Sequence, residues 1–114
     1  MKSKNIELPY TFENLLKVLE SVSVKNPPYF HAAIANWCFE YVEDNILKDL
    51  SFENKLEEKA YNIASNIDNE WEVFLENSYT LEELQDIDIF SICLPLEWFE
   101  EWTLELRSYK EKNQ

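Results

Sequence analysis

The groups in this chain of 114 residues that could do chemistry are one histidine, two cysteines and several carboxylate pairs one helical turn apart. His31 alone cannot build a multi-histidine metal site. It follows Pro27-Pro28-Tyr29-Phe30, where an apolar periodic run begins, and that place suits a partly exposed or capping role. Cys38 lies two helical turns further on, too far for direct proton transfer between thiol and imidazole. Cys38 and Cys93 have no CxxC or metal-ligand spacing, and their apolar neighbours read as reduced core thiols, with a Cys38–Cys93 bridge as the alternative. The pairs Glu72/Glu76, Glu97/Glu101 and Glu101/Glu105 have the spacing to share a proton or to hold a hard cation. No Glu-x-x-His accompanies them, and Asp86-Ile87-Asp88 lacks the rest of a calcium loop. The expectation is a non-enzyme without catalytic residues, metal or cofactor.

Glycine is absent altogether. That removes phosphate-binding loops, dinucleotide turns, EF-hand loops and nucleophile elbows, all of which need its backbone freedom. It also disfavours tight hairpins. The eleven asparagines are the expected substitutes at helix ends and left-handed positions.

The elements that must position these groups read as helices. After a lead-in over residues 1–10, Thr11 caps a helix over about 12–24, with Phe12, Leu15, Leu16, Leu19 and Val22 on one face. Asn26-Pro27-Pro28 stops it and starts a second, which runs to about Leu50 and carries Phe30, Ala33, Ile34, Trp37, Cys38, Tyr41 and Val42 at helical spacing. Ser51 is the expected cap of a third, striped by Phe52, Leu56, Ala60, Ile63, Ala64 and Ile67, with a break or kink at residues 66–69 before Trp71, Phe74 and Leu75. The charges of its first turns, Glu53 and Glu57, and Lys55 and Lys59 beside Glu58, read as a solvated face. Thr80-Leu81-Glu82-Glu83 is a capping box opening a helix over about 81–88. Residues 87–94 read as buried helix or irregular chain, and Pro95 opens the last helix, about 96–111. The fold class is all-α: a single-domain irregular bundle of about five helices.

Charge is the most uneven property of the chain. Residues 60–106 hold twelve acids and no lysine or arginine, whereas residues 1–59 carry −3 and residues 107–114 carry +2, so the net −13 is concentrated in one block. Eight aromatic residues stand in that block, which excludes a disordered acidic tail. The charge opposes direct binding to nucleic acid or to an anionic membrane and favours a basic protein partner. The candidate partner-binding residues are Glu82, Glu83, Asp86, Asp88, Glu97, Glu100, Glu101 and Glu105. Trp71, Trp98 and Trp102 sit beside acids in the sequence, a pairing that serves either a core or an interface anchor. Lys2 and Lys4 precede no apolar stretch and no run reaches membrane-spanning length, so a cytoplasmic protein is expected, as a monomer.

In overall character the chain resembles the immunity proteins that protect bacteria from nuclease toxins: small, acidic, helical and without catalytic groups. The resemblance rests on no diagnostic motif, so it assigns no residue a role. It implies a chain that binds a basic nuclease toxin domain and blocks its active site or substrate groove. Acidic nucleic-acid mimics of phage origin share the same character. The competing readings are a non-catalytic adaptor, acidic for solubility, and an enzyme or metal protein built on the paired glutamates.

Overall fold

The computed structural model describes residues 2–113. Among them are five α-helices: α1 (Phe12–Glu20), α2 (His31–Leu47), α3 (Lys55–Ser78), α4 (Leu81–Asp86) and α5 (Leu96–Lys112). Two short 3₁₀ turns, Ser21–Ser23 and Ile89–Ser91, interrupt the connections. No strand is formed among the described residues; the nearest thing to one is an isolated parallel bridge between Ser3 and Tyr29. The protein is an all-α domain.

α3 is the axis of the bundle. At 24 residues it is about 36 Å long, against a longest molecular dimension of 45 Å. α1, α2 and α5 all pack on it. Its buried face is Ala60, Ile63, Ala64, Ile67, Trp71 and Leu75, and the two alanines present little bulk to neighbouring helices. α2 answers with Ala32, Ala33, Ile34, Ala35, Trp37, Cys38 and Tyr41. α3 runs without interruption through residues 66–69. Its cap is Asn54, whose side chain accepts the Glu57 N–H at 3.0 Å, and not Ser51.

Both ends of α2 differ from the sequence reading. It starts at His31, because the Pro27-Pro28 stretch is used otherwise: Ser3 N–H donates to Pro28 O at 2.7 Å and Phe30 N–H donates to Ser3 O at 3.3 Å. It ends at Leu47 in a Schellman turn, with Leu50 N–H on Asn45 O at 2.8 Å and Asp49 N–H on Ile46 O at 3.0 Å. The left-handed positions of that turn fall to Asp49 and Leu50, with φ of 55° and 54°, and not to an asparagine.

Several contacts tie α1 down from far along the chain. Thr11 caps it locally, accepting the Asn14 N–H at 3.2 Å. The Glu57 carboxylate, expected on a solvated face, accepts the Phe12 N–H through both oxygens, at 2.8 and 3.2 Å. Lys110 pairs with Glu13 at 2.8 Å, and Arg107 pairs with Glu20. Trp37 Nε1 donates to Leu8 O at 3.1 Å and fixes the lead-in against α2.

α4 is held by the expected capping box between Thr80 and Glu83, but it ends at Asp86, not Asp88. The following residues are irregular, with Ile92 and Leu94 buried. Cys93 between them is exposed and Cys38 is buried; both are free thiols, so the reading of two core cysteines holds for Cys38 alone. Burial pushes the Cys38 thiol far above its ordinary range.

Candidate partner-binding face

α5 divides its residues between two sides. Phe99, Trp102, Thr103 and Leu106 are buried. Trp98 is half-buried, edge-on to Phe74 at 5.9 Å and to Trp102 at 6.3 Å between ring centroids. The aromatic residues beside the acids therefore build the core: Trp71 and Trp102 are buried with Trp37, and none of the four tryptophans is an exposed anchor.

The outward side of α5 carries Glu97, Glu100, Glu101 and Glu105, all exposed. Leu104 stands among them and is 64% exposed. On a helix it lies one turn from both Glu100 and Glu101 and next in sequence to Glu105. Leu96, 57% exposed, lies at the start of the same helix. Beside Leu104 is a shallow groove of about 420 Å³, lined by Glu101, Glu105 and Tyr109, with Lys59 and Lys112 at its margin. A second groove, of about 280 Å³, lies between α3 and α5 over Trp98 and Trp102, with Glu70 and Glu101 on its walls. Glu101 thus borders both.

The other four candidate residues are also exposed. Glu82, Glu83 and Asp86 ride on α4, which buries none of its own residues, and Asp88 follows it. Neither groove along α5 is lined by any of these four. Some of the eight have local work. Glu83 Oε1 accepts the Thr80 N–H at 2.9 Å, and Asp88 Oδ1 accepts the Phe90 N–H at 3.0 Å. Glu105 pairs with Lys59 at 2.7 Å.

Of the block's twelve carboxylates, Glu105 alone has an ion-pair partner among the described residues. Two of the three cations that follow the block are directed elsewhere: Arg107 and Lys110 reach back to Glu20 and Glu13 on α1, while Lys112 stays at the margin of the Leu104 groove. Glu82, Asp86, Glu97, Glu100 and Glu101 keep their charge uncompensated at the surface. The sequence reading did not pick out Leu104 and Leu96. Their signal was there: Leu104 falls on the helical face of Glu97 and Glu101, opposite Leu106 and Phe99.

No cluster of three or more candidate metal ligands occurs among the described residues, and no helix there is long and apolar enough to cross a membrane. His31, a half-buried residue, accepts the Leu94 N–H through Nδ1 at 2.9 Å and lies against Phe99 at 4.7 Å between ring centroids. It joins the first turn of α2 to the irregular stretch before α5. No family model matches the chain, and neither a curated protein nor a solved structure matches it.

Proposed function

We propose that this protein is a protein-binding inhibitor, an immunity protein that neutralises a cognate basic nuclease toxin in the cytoplasm by covering its active site or substrate groove. The reading gives the chain no catalytic step. The observation that carries it is the outward side of α5, where an exposed Leu104 is surrounded by Glu97, Glu100, Glu101 and Glu105. An apolar anchor within a charged rim is how binding surfaces are built: the anchor supplies affinity and the rim steers a partner of opposite charge. Nuclease clefts are basic because they hold phosphates, so a rigid carboxylate surface competes for the same ground.

A second reading, an acidic adaptor, is favoured by Glu83, Asp88 and Glu105, whose carboxylates already have intramolecular partners. The two readings separate under charge reversal. The inhibitor reading expects Glu97→Lys with Glu101→Lys to abolish protection against the cognate nuclease domain. It also expects wild-type association to slow as the Debye length falls from about 30 Å at 0.01 M salt to about 8 Å at 0.15 M. Unchanged protection, with an association rate indifferent to salt, sinks the inhibitor reading in favour of the adaptor.

A further inference from the structure

A third concavity lies on a different part of the molecule, between α2, α3 and the 3₁₀ turn Ile89–Ser91. It holds about 350 Å³. Its floor is apolar, formed by the small side chains of Ala32 and Ala35 and by Trp71. Two large apolar side chains on its lining are left in solvent, Phe39 at 45% and Ile89 at 41% exposure. Asp68 and Glu72, one helical turn apart on α3, complete one side, and neither has an ion-pair partner among the described residues.

The chain itself shows what chemistry this groove accepts. Lys4, from the lead-in, lines it and holds its ammonium 4.9 Å from the centroid of the Phe90 ring. Lys2 stands 5.8 Å from the ring of Phe30, which is itself 5.4 Å from Phe90. Two intramolecular cations thus lie over an aromatic pair at cation–π distance. Burial, and Glu43 on α2, raise the Asp68 carboxyl above its ordinary pKa, so its negative charge is under-compensated where it stands.

We infer that this groove docks a basic segment of a protein partner, seating one arginine or lysine side chain between Asp68, Glu72 and the Phe90 ring, with a neighbouring apolar side chain against Phe39 and Ile89. The chemistry is that of an amphipathic cation, in which a charged head meets two carboxylates and an aromatic face while apolar surface covers apolar surface. Lys4 is then a competitor: its ammonium occupies the aromatic face until a partner's cation replaces it. The inference concerns α2 and α3, not the outward side of α5, and stands whether or not the partner is a nuclease.

The test is a titration of the full ¹⁵N-labelled chain with the N-acetylated dipeptide amide Trp-Arg, followed by amide shifts, beside its neutral counterpart, N-acetylated Trp-citrulline amide. Saturable shifts at Phe39, Asp68 and Glu72 are expected with Trp-Arg, and none with Trp-citrulline. Asp68→Asn with Glu72→Gln should weaken binding roughly 2- to 30-fold, the scale of two partly exposed charge pairs. Lys4→Ala, in the exposed lead-in, should strengthen it, and this variant keeps the test decisive if the α3 double variant does not fold. Equal binding of the two dipeptides, shifts confined to α5, or an affinity unmoved by Lys4→Ala would each overturn the inference. Any of these outcomes leaves the α5 reading intact, because that is judged by charge reversal at Glu97 and Glu101.

Discussion

His31 Nδ1 takes its hydrogen bond from the backbone of Leu94, 63 positions away in the chain, at 2.9 Å. The bond needs an unprotonated Nδ1. Burial lowers the pKa of His31 below its ordinary 6.5, and Lys2 lowers it further. The unfolded chain therefore binds the proton more readily than the folded one. The contribution of His31 to stability is complete above about pH 6.5 and is lost as pH falls below that value. Asp68, whose carboxyl is raised, works in the opposite sense at the acidic end, so the comparison that isolates His31 is with a variant. His31→Ala should cost about 1–3 kcal/mol at pH 8, from leaving the Leu94 N–H without a partner. The gap to wild type should narrow by pH 5.5, as read by denaturant unfolding at both pH values. A gap independent of pH refutes the assignment.

Glu57 predicts a second outcome. Both its oxygens meet the first amide of α1, where a negative charge is favoured by the exposed N–H groups and the helix dipole. Glu57→Ala should destabilise the fold by about 1.5–3 kcal/mol, the range of hydrogen bonds to charged groups. Glu57→Gln should recover part of that. Equilibrium unfolding measures both, and a neutral Glu57→Ala would show that the carboxylate is dispensable.

Leu104 separates stability from binding. Because it is mostly in solvent, Leu104→Ala should leave unfolding free energy within about 0.5 kcal/mol of wild type. On the proposed inhibitor reading, where Leu104 anchors the interface, it should still cost more than about 1 kcal/mol in affinity for the proposed toxin partner. Calorimetric titration beside a thermal melt reads the two numbers. Loss of stability without loss of affinity would reverse the assignment.

The thiols give a direct check on the fold. Cys93 is exposed and Cys38 is buried with its pKa driven up. One equivalent of a thiol reagent should react in the native state and two after unfolding, with Cys93→Ser abolishing the native reaction. Two fast equivalents in the native protein would contradict the burial of Cys38.

Local chemistry was legible in the sequence wherever neighbours in the chain decide the outcome. Thr11 and the Thr80–Glu83 box cap as their spacing demands, and most of the apolar stripe residues of the second and third helices are buried, Phe30, Val42, Phe52, Leu56 and Phe74 only half so. The misreadings come where distant residues decide. Pro27-Pro28 looked like a helix start, but Ser3 draws that backbone into a bridge. Glu57 looked solvated until α1 came to lie over it. Cys93 shares an apolar run with Ile92 and Leu94, yet the extended backbone there alternates sides, burying those two and turning the cysteine out. The acids of the candidate face were visible as a count, but Leu104 became conspicuous only once Phe99, Trp102 and Leu106 were seen to fill the other side.

The tethering of α1 has a consequence in time. A helix of nine residues is too short to persist alone in water. Its first amide waits for residue 57, and its acids wait for residues 107 and 110. Each tether closes a long loop, whose entropy must be lost before the contact returns anything. α1 is therefore expected to hold only once the segments carrying residues 57, 107 and 110 are in place. Substitutions on it should speed unfolding and leave the folding rate almost untouched.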